Sequence, residues 1–384
     1  MIPYGKQSID QTDIDAVVDV LKSDWLTQGP KVPAFEDSVA SYCEAKHGVA
    51  VNSATSALHI ACLALDVGKG DIVWTSPISF VASANCALYC GAKIDFVDID
   101  LNTGNMSVLE LEKKLLLAKK NNCLPKVVIP VHLAGQSCDM QAIHKLAHKY
   151  DFKIIEDASH AIGAKYLDKP VGNCEFSDIC IFSFHPVKII TSAEGGMAVT
   201  NSDNLAKRLK RLRSHGLTTD PTEMTEPSHG PWYYQQIELG FNYRMTDLHA
   251  ALGMSQLSKV DEFVNQRHFL AKTYDAHLDL NLIRPLQQSN TCYSAYHLYI
   301  VQLKNSDIEQ HKNVITQLRA AGIIGHLHYI PIHLQPYYKA MGFSAGDFPN
   351  AEKYYQRAIT LPLHPALQDH EVYLVINTLH QILN

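Results

Sequence analysis

The chain has 384 residues, 46% of them hydrophobic and 19% charged, with a formal net charge of −6. That length suffices for one large domain and a smaller one, each with its own core, while the scattered and outnumbered Lys and Arg exclude a nucleic-acid surface. The opening MIPYGKQSID lacks the apolar run of a signal peptide, and the nine cysteines contain no Cys-x-x-Cys pair; a reduced, cytoplasmic protein without a membrane partner is expected.

From about residue 45 to 200, short apolar runs alternate with amphipathic stretches. Strands are predicted at 49–52, 72–75, 93–97, 127–132, 153–156 and 179–184, with helices such as 56–65, 108–120 and 140–150 between them. The uncharged stretch 72–92 contains Pro77, Asn85 and several serines. It reads as a buried strand followed by a buried helix rather than a membrane span. The alternation predicts an α/β fold with a mostly parallel sheet between helices. Ligands of such sheets sit beyond the carboxyl ends of the strands, so the residues just after each strand are the place to look for chemistry. Beyond residue 201 the pattern turns helical, at 202–214 and 246–275, with a polar Pro- and Thr-rich loop at 218–231. A second mixed segment follows: strand 295–303, helix 307–321, strand 323–329, and helices near 350–359 and 369–382. The division expected is a large domain over 1–265, whose N-terminal segment packs on the other domain, and a smaller α/β domain over 266–384.

Four strand ends carry suggestive residues. In Ser183-Phe184-His185-Pro186-Val187-Lys188 an apolar strand ends in a turn and a lysine. Desolvation at a sheet mouth disfavours the ammonium, which an imine-forming lysine requires; read alone, a solvated surface lysine fits equally well. Asp157 falls at the carboxyl end of the apolar strand KIIE, where a carboxylate can meet a pyridine nitrogen and keep the ring an electron sink, or simply cap a helix. His160 lies three residues on and can reach the phenolic oxygen of the same ring, or be satisfied by nearby backbone. Asn52-Ser53-Ala54-Thr55-Ser56 runs from strand to helix through small hydroxyl residues, the pattern of a phosphate site or of a plain N-cap. Phe80, after the next strand, can stack on a flat ring or fill the core. Taken together, these four pieces describe a pyridoxal-phosphate (PLP) site, with no metal.

With those motifs in place, the sequence resembles the DegT/DnrJ/EryC1/StrS family of sugar aminotransferases. The resemblance runs from WLTQGP (25–30) through PVHLAGQSCDM (130–140), EDASHAIGA (156–164), SFHPVK (183–188), AEGG (193–196), GFNYRMTD (240–247) and HYIPIH (328–333) to LPLH (361–364). It implies the PLP-dependent aminotransferase fold type I. It also implies that Lys188 bonds the cofactor, that Asp157 meets the ring nitrogen and that His160 sits at the ring edge. Thr55, Ser56 and Ser183 would hold the phosphate, Phe80 would cover the ring, and Asn242 would reach the phosphate of a neighbouring subunit in a homodimer. Thr27, Arg244, His328 and Tyr329 are the implied substrate-side residues; Arg244 would anchor the carboxylate of an L-glutamate donor or brace the dimer. Two departures, Ser159 where alanine is usual and Ile189 where proline is common, are expected to touch no chemical role. Within the family, LTQGPKVPAFE, TSPISFVASAN and RSHGL most resemble the enzymes that aminate C-4 of a UDP-linked 4-keto-6-deoxy-N-acetylhexosamine of the altrosamine type on the way to pseudaminic acid. A zinc hydrolase is the rival from another class: His326 and His328 fall on one face of a predicted strand, with His333 nearby, but no carboxylate stands close in sequence.

Overall fold

The computed structural model describes residues 1–304 and 306–384. Two helices open the chain, α1 (Gln11–Leu21) and α2 (Lys31–Tyr42). The first begins at a capping box: Asp10 accepts from the amides of Thr12 and Asp13, and Asp13 reaches back to the Asp10 amide. Strand–helix alternation follows through β1 (His47–Val51), α3 (Ala54–Ala64), β2 (Ile72–Thr75), α4 (Ala82–Tyr89), β3 (Lys93–Phe96), α5 (Val108–Lys120), β4 (Val127–Ile129), α6 (Met140–Tyr150), β5 (Lys153–Asp157), β6 (Ile179–Ser183) and β7 (Gly196–Thr200). The uncharged stretch 72–92 thus folds as a strand and a helix. Among the described residues no helix is long and apolar enough to cross a membrane.

These strands form one seven-stranded sheet in the order β1-β7-β6-β5-β4-β2-β3. All neighbours are parallel except β7, which runs against both β1 and β6. The carboxyl ends of β1, β2, β4, β5 and β6 therefore share one edge, together with the start of β7. Alternation along each strand feeds two layers. Val49, Val51, Ile179 and Ile181 pack towards α3, whereas Ala50, Cys180 and Phe182 pack with Phe35 of α2. Burial on both faces is why the strands read as nearly continuous apolar runs.

Three helices complete this part: α7 (Asp203–Leu212), α8 (Asp247–Leu257) and α9 (Val260–His277). The single helix predicted at 246–275 is thus two, broken at Ser258 and Lys259 with neither Pro nor Gly to mark the place. A smaller antiparallel sheet follows, with β8 (Ile283–Pro285), β9 (Tyr299–Leu303) and β10 (Ala358–Leu361) in that order, flanked by α10 (Ile308–Ala320), α11 (Pro336–Lys339), α12 (Pro349–Tyr355) and α13 (Asp369–Leu383). Two expectations fail here. The helix predicted near 350–359 stops at Tyr355, because residues 358–361 are taken up pairing with β9; tertiary pairing overrides local helical preference. The strand predicted at 323–329 makes only isolated bridges, Ile323 to Ile2 and His326 to Thr360.

The two cores meet along α9. Val260, Phe263 and Val264 pack with the large sheet, and Leu270, Ala271 and Tyr274 with the small one; the division drawn at 265 falls inside this helix. Ile2 also joins the small core, its amide donating to the Gly322 carbonyl at 2.8 Å. Midway along α9, Arg267 is 1% exposed. Its guanidinium donates to the carbonyls of Tyr296, His297 and Leu363 at 3.2, 3.1 and 2.9 Å. These carbonyls belong to segments that no strand ladder satisfies. Arg267→Ala should lower the free energy of unfolding by about 3 kcal/mol, since it leaves buried acceptors unpaired and opens a void. A urea melt checks this; an unchanged midpoint would show that the carbonyls find other donors.

Candidate active site

The shared sheet edge opens into a cavity of about 520 Å³, lined by the strand ends and turns of the large sheet and by His297, His326, His328 and Tyr329 from the segments beside the small one. Asp157 enters it because β5 buries Ile154 and Ile155 on opposite faces and ends there. The Asp157 carboxylate is held on both oxygens. Ser83 Oγ, in the first turn of α4, donates to Oδ2 at 2.6 Å. Ser159 donates to Oδ1 twice, from its hydroxyl at 2.6 Å and its amide at 3.2 Å. Ser79 Oγ lies 2.6 Å from Ser83 Oγ. Ser159 was expected to touch no chemical role; instead it grips the carboxylate. The Asp-x-Ser spacing, which favours such local bonding, was the available signal.

Lys188 follows β6 through a turn closed by its amide on the His185 carbonyl at 2.9 Å. It lines the same cavity. Burial pulls its ammonium down to about 8, against the opposing attraction of Asp157. Three imidazoles stand around it. His160, 5% exposed, has its pKa pushed well below the ordinary value by burial, then by the charge of Lys188 and by His328. His160 Nε2 lies 3.1 Å from the Tyr329 hydroxyl, and its Nδ1 is buried without a partner. The His297 ring lies 4.4 Å from that of His160, and burial lowers its pKa likewise. His328, bonded through Nδ1 to the Thr360 hydroxyl at 2.8 Å, is pushed down to about 3 by burial and by His326. All three are neutral at physiological pH, so they offer hydrogen bonds and flat surfaces rather than charge.

At the end of β1, Ser53 caps α3, accepting from the Ser56 amide at 3.1 Å. Ser53, Thr55 and Ser183 line the cavity beside the free amides of that helix, a donor set that suits an anion. Ser56 differs from expectation: its hydroxyl donates to Asn52 Oδ1 at 2.6 Å and it does not line the cavity. Gly196, paired with both Val51 and Ser183, explains the AEGG motif. A Cβ there would stand 2.5 Å from the Ala54 nitrogen and from the Ser53 carbonyl carbon, inside the cradle. Phe80 sits on the rim, 61% exposed, its ring 6.4 Å from that of Tyr329.

Of the residues singled out in the sequence, Lys188, Asp157, His160, Thr55, Ser183, Phe80, His328 and Tyr329 converge here. Thr27, Asn242 and Arg244 do not line the cavity; their backbones bridge to Thr246, Ser214 and Val51. His326 and His328 stack with centroids 4.7 Å apart, while His333 turns to Glu352 at 3.0 Å, so the three histidines weighed for zinc do not share a centre; among the described residues no metal-binding cluster forms. Tyr4, Ser83 and His297 were missed, while Ser53 belongs to the hydroxyl motif read as a phosphate site. Tyr4 arrives with the N-terminal segment and packs 5.1 and 5.0 Å from the rings of His326 and His328, a placement with no local signal in sequence.

A bound PLP suits these residues: a half-buried amine able to lose its proton, a fixed carboxylate, a hydroxyl-and-amide cradle too tight for a Cβ, and an orphaned imidazole nitrogen. Comparison with known proteins agrees. The model of the DegT/DnrJ/EryC1/StrS aminotransferase family matches residues 7–380. The chain is similar to the UDP-4-amino-4,6-dideoxy-N-acetyl-beta-L-altrosamine transaminase of Campylobacter jejuni strain 81-176, with 38% identity over 384 residues, covering 100% of this chain and 98% of that protein. Its fold is similar to that of Helicobacter pylori PseC, an aminotransferase involved in the biosynthesis of pseudoaminic acid, with a TM-score of 0.91 and 32% identity over 100% of this chain and 99% of the other. It is also similar to Streptococcus pneumoniae Spr1654 in its PLP form, with a TM-score of 0.89 and 31% identity over 100% of both chains.

The lowered Lys188 pKa sets a pH dependence. Below about 8 the amine is mostly protonated, and a protonated amine cannot attack an aldehyde. Capture of added PLP by apoprotein, followed by absorbance in a stopped-flow mixer, should therefore accelerate by about tenfold per pH unit below that value and level off above it. Borohydride should then fix the cofactor to the peptide carrying Lys188; labelling of another lysine would overturn the assignment.

Proposed function

Given that this chain belongs to the DegT/DnrJ/EryC1/StrS family, and is thus a PLP-dependent sugar aminotransferase, we propose that it transfers an amino group from L-glutamate to C-4 of a UDP-linked 4-keto-6-deoxy-N-acetylhexosamine of the altrosamine type. The convergence of Lys188 and Asp157 on one cavity carries the transamination. The full-length similarity to the Campylobacter jejuni transaminase supports the sugar.

The cofactor, when bound, supplies the electron sink that lets a carbon–hydrogen bond beside the amine break. Each residue then has a task. Lys188 Nζ would hold the cofactor and, once freed by the donor amine, would take up the proton from the donor carbon that bears nitrogen; in the second half-reaction it would give a proton to the sugar carbon that receives the nitrogen. A pKa near 8 suits both directions, because the amine exchanges its proton readily near neutrality. Asp157 would face the ring nitrogen. His160 would sit at the ring edge and Phe80 would cover the ring, while Ser53, Thr55 and Ser183 with the α3 amides would hold the phosphate. Tyr329 and His328 would border the sugar side. Because the donor's keto acid leaves before the sugar enters, ping-pong kinetics are expected.

Among the described residues, no arginine and no lysine other than Lys188 lines the cavity. Lys188 apart, the donor carboxylate thus finds no cation within it, and we assign Arg244, with Asn242 as a further neutral donor to the phosphate, to the site of a neighbouring copy in a homodimer. Mixing inactive Lys188→Ala with an inactive Asn242→Ala variant and allowing subunit exchange should restore activity, since hybrids contain one site with both residues intact. A fully active monomer in sedimentation would refute the shared site.

The substrate is tested by competition between the two C-5 epimers of the UDP-linked 4-keto-sugar, with glutamate as donor, chromatographic separation and the amine stereochemistry read by NMR. The altrosamine-type epimer should be preferred, because moving the keto group relative to the cofactor costs much of the rate. Efficient amination of a dTDP-linked 3-keto-sugar with neither UDP epimer turned over would sink the substrate claim and leave the aminotransferase intact.

A further inference from the structure

The hydrogen bonds around Asp157 leave one direction open. A carboxylate oxygen accepts about two hydrogen bonds. Oδ1 is filled by the amide and hydroxyl of Ser159, at 3.2 and 2.6 Å. Oδ2 accepts only from Ser83, at 2.6 Å. The Ser83 proton is committed to the carboxylate, so the 2.6 Å contact between Ser79 and Ser83 must be a donation from Ser79. Proton donation thus runs one way, from Ser79 through Ser83 to Oδ2. Chains of this kind polarise and strengthen one another in a buried setting, and Ser79, Ser83 and Asp157 are all 4% exposed or less. With both oxygens held from different elements, the turn after β5 and the first turn of α4, the carboxylate cannot rotate about its own axis without breaking a short bond.

We infer that Ser83 and Ser159 are positioning residues that lock the Asp157 carboxylate so that its single unfilled acceptor direction, on Oδ2, is presented to the ring nitrogen of the cofactor. Both line the cavity with Asp157. Ser159 is the more telling of the two, because it holds the oxygen that does not meet the ring; its effect is on orientation alone. The inference rests on Asp157 as the ring-nitrogen partner and is independent of the sugar.

The test uses the PLP-loaded enzyme and compares Asp157→Ala, Ser159→Ala, Ser159→Thr and Ser83→Ala with the parent. Three readouts are taken: the pH titration of the cofactor's visible absorbance band, the rate of cofactor loss into a scavenger, and the thermal unfolding midpoint of the apoprotein. Ser159→Ala and Ser83→Ala should each lose cofactor about tenfold faster, the size expected for one bond to a charged group. Each should also shift the titration in the direction that Asp157→Ala shifts it. The apoprotein midpoint of Ser159→Ala should stay within the error of the parent, and Ser159→Thr should restore both cofactor readouts. A Ser159→Ala enzyme with parental spectrum and cofactor retention, beside an altered Asp157→Ala, overturns the inference; so does a Ser159→Thr variant as impaired as Ser159→Ala. An unaltered Asp157→Ala overturns the ring-nitrogen assignment instead.

Discussion

One register decides whether the site exists. β5 and β6 run parallel with Asp157 opposite Ile181 and Glu156 opposite Cys180. In that register Asp157 clears the sheet edge just where β6 gives out into Ser183 and the turn to Lys188. A slip of one residue would turn every side chain of the strand to the opposite face, bringing Glu156 or Ala158 to the place that Asp157 holds at the cavity. The apolar alternation that makes the slip costly is the same one that builds the two flanking layers. Core packing and chemistry are therefore specified by one set of residues, and Gly196 completes the arrangement by letting β7 approach the α3 cradle.

The charge distribution in the cavity follows from its depth. Lys188 and Asp157 line it as opposed partners and Glu194 adds a second carboxylate to its lining, whereas the imidazoles of His160, His297 and His328 around the lysine are kept neutral by burial. A neutral surround is useful to a lysine that must both hold and release a proton, since fixed cations nearby would depress its proton affinity further and fixed anions would raise it. The donors proposed for the phosphate are likewise uncharged, being amides and hydroxyls. Affinity for a doubly charged group then comes from directed donors and helix geometry more than from net charge.

Much of this was legible in the sequence because fully buried strands announce themselves as short apolar runs, and their ends mark the functional edge. Helices 108–120 and 140–150 are reproduced at both ends, and Ser107 and Asp139 cap their N-termini. What escaped has identifiable causes. Residues 358–361 continue the amphipathic pattern of α12 and become a strand only through pairing with β9. Residues 323–329 alternate like a strand but leave the sheet to carry His328 and Tyr329 to the cavity. Ser83, His297 and Tyr4 reach Asp157, His160 and His328 across long stretches of chain, which single-sequence patterns do not encode. Ser159 was visible, two residues from Asp157, and was set aside only because it departed from a family pattern.

The helix that straddles both cores carries a consequence for exchanging parts between relatives. Recombination joined at residue 265, the division suggested by sequence, would leave Phe263 with one parent and Arg267 with the other, splitting a single rigid strut. A crossover before Val260 keeps Arg267 with Tyr296, His297 and Leu363 but asks a foreign helix face to fit Phe263 against the large core. A crossover after His277 preserves the strut and hands its guanidinium three carbonyls from a new parent. Because backbone carbonyls are common to every sequence whereas side-chain shapes are not, the later junction is the more portable one. Small-domain shuffling in this architecture should be planned around hydrogen-bond acceptors rather than around the apparent linker.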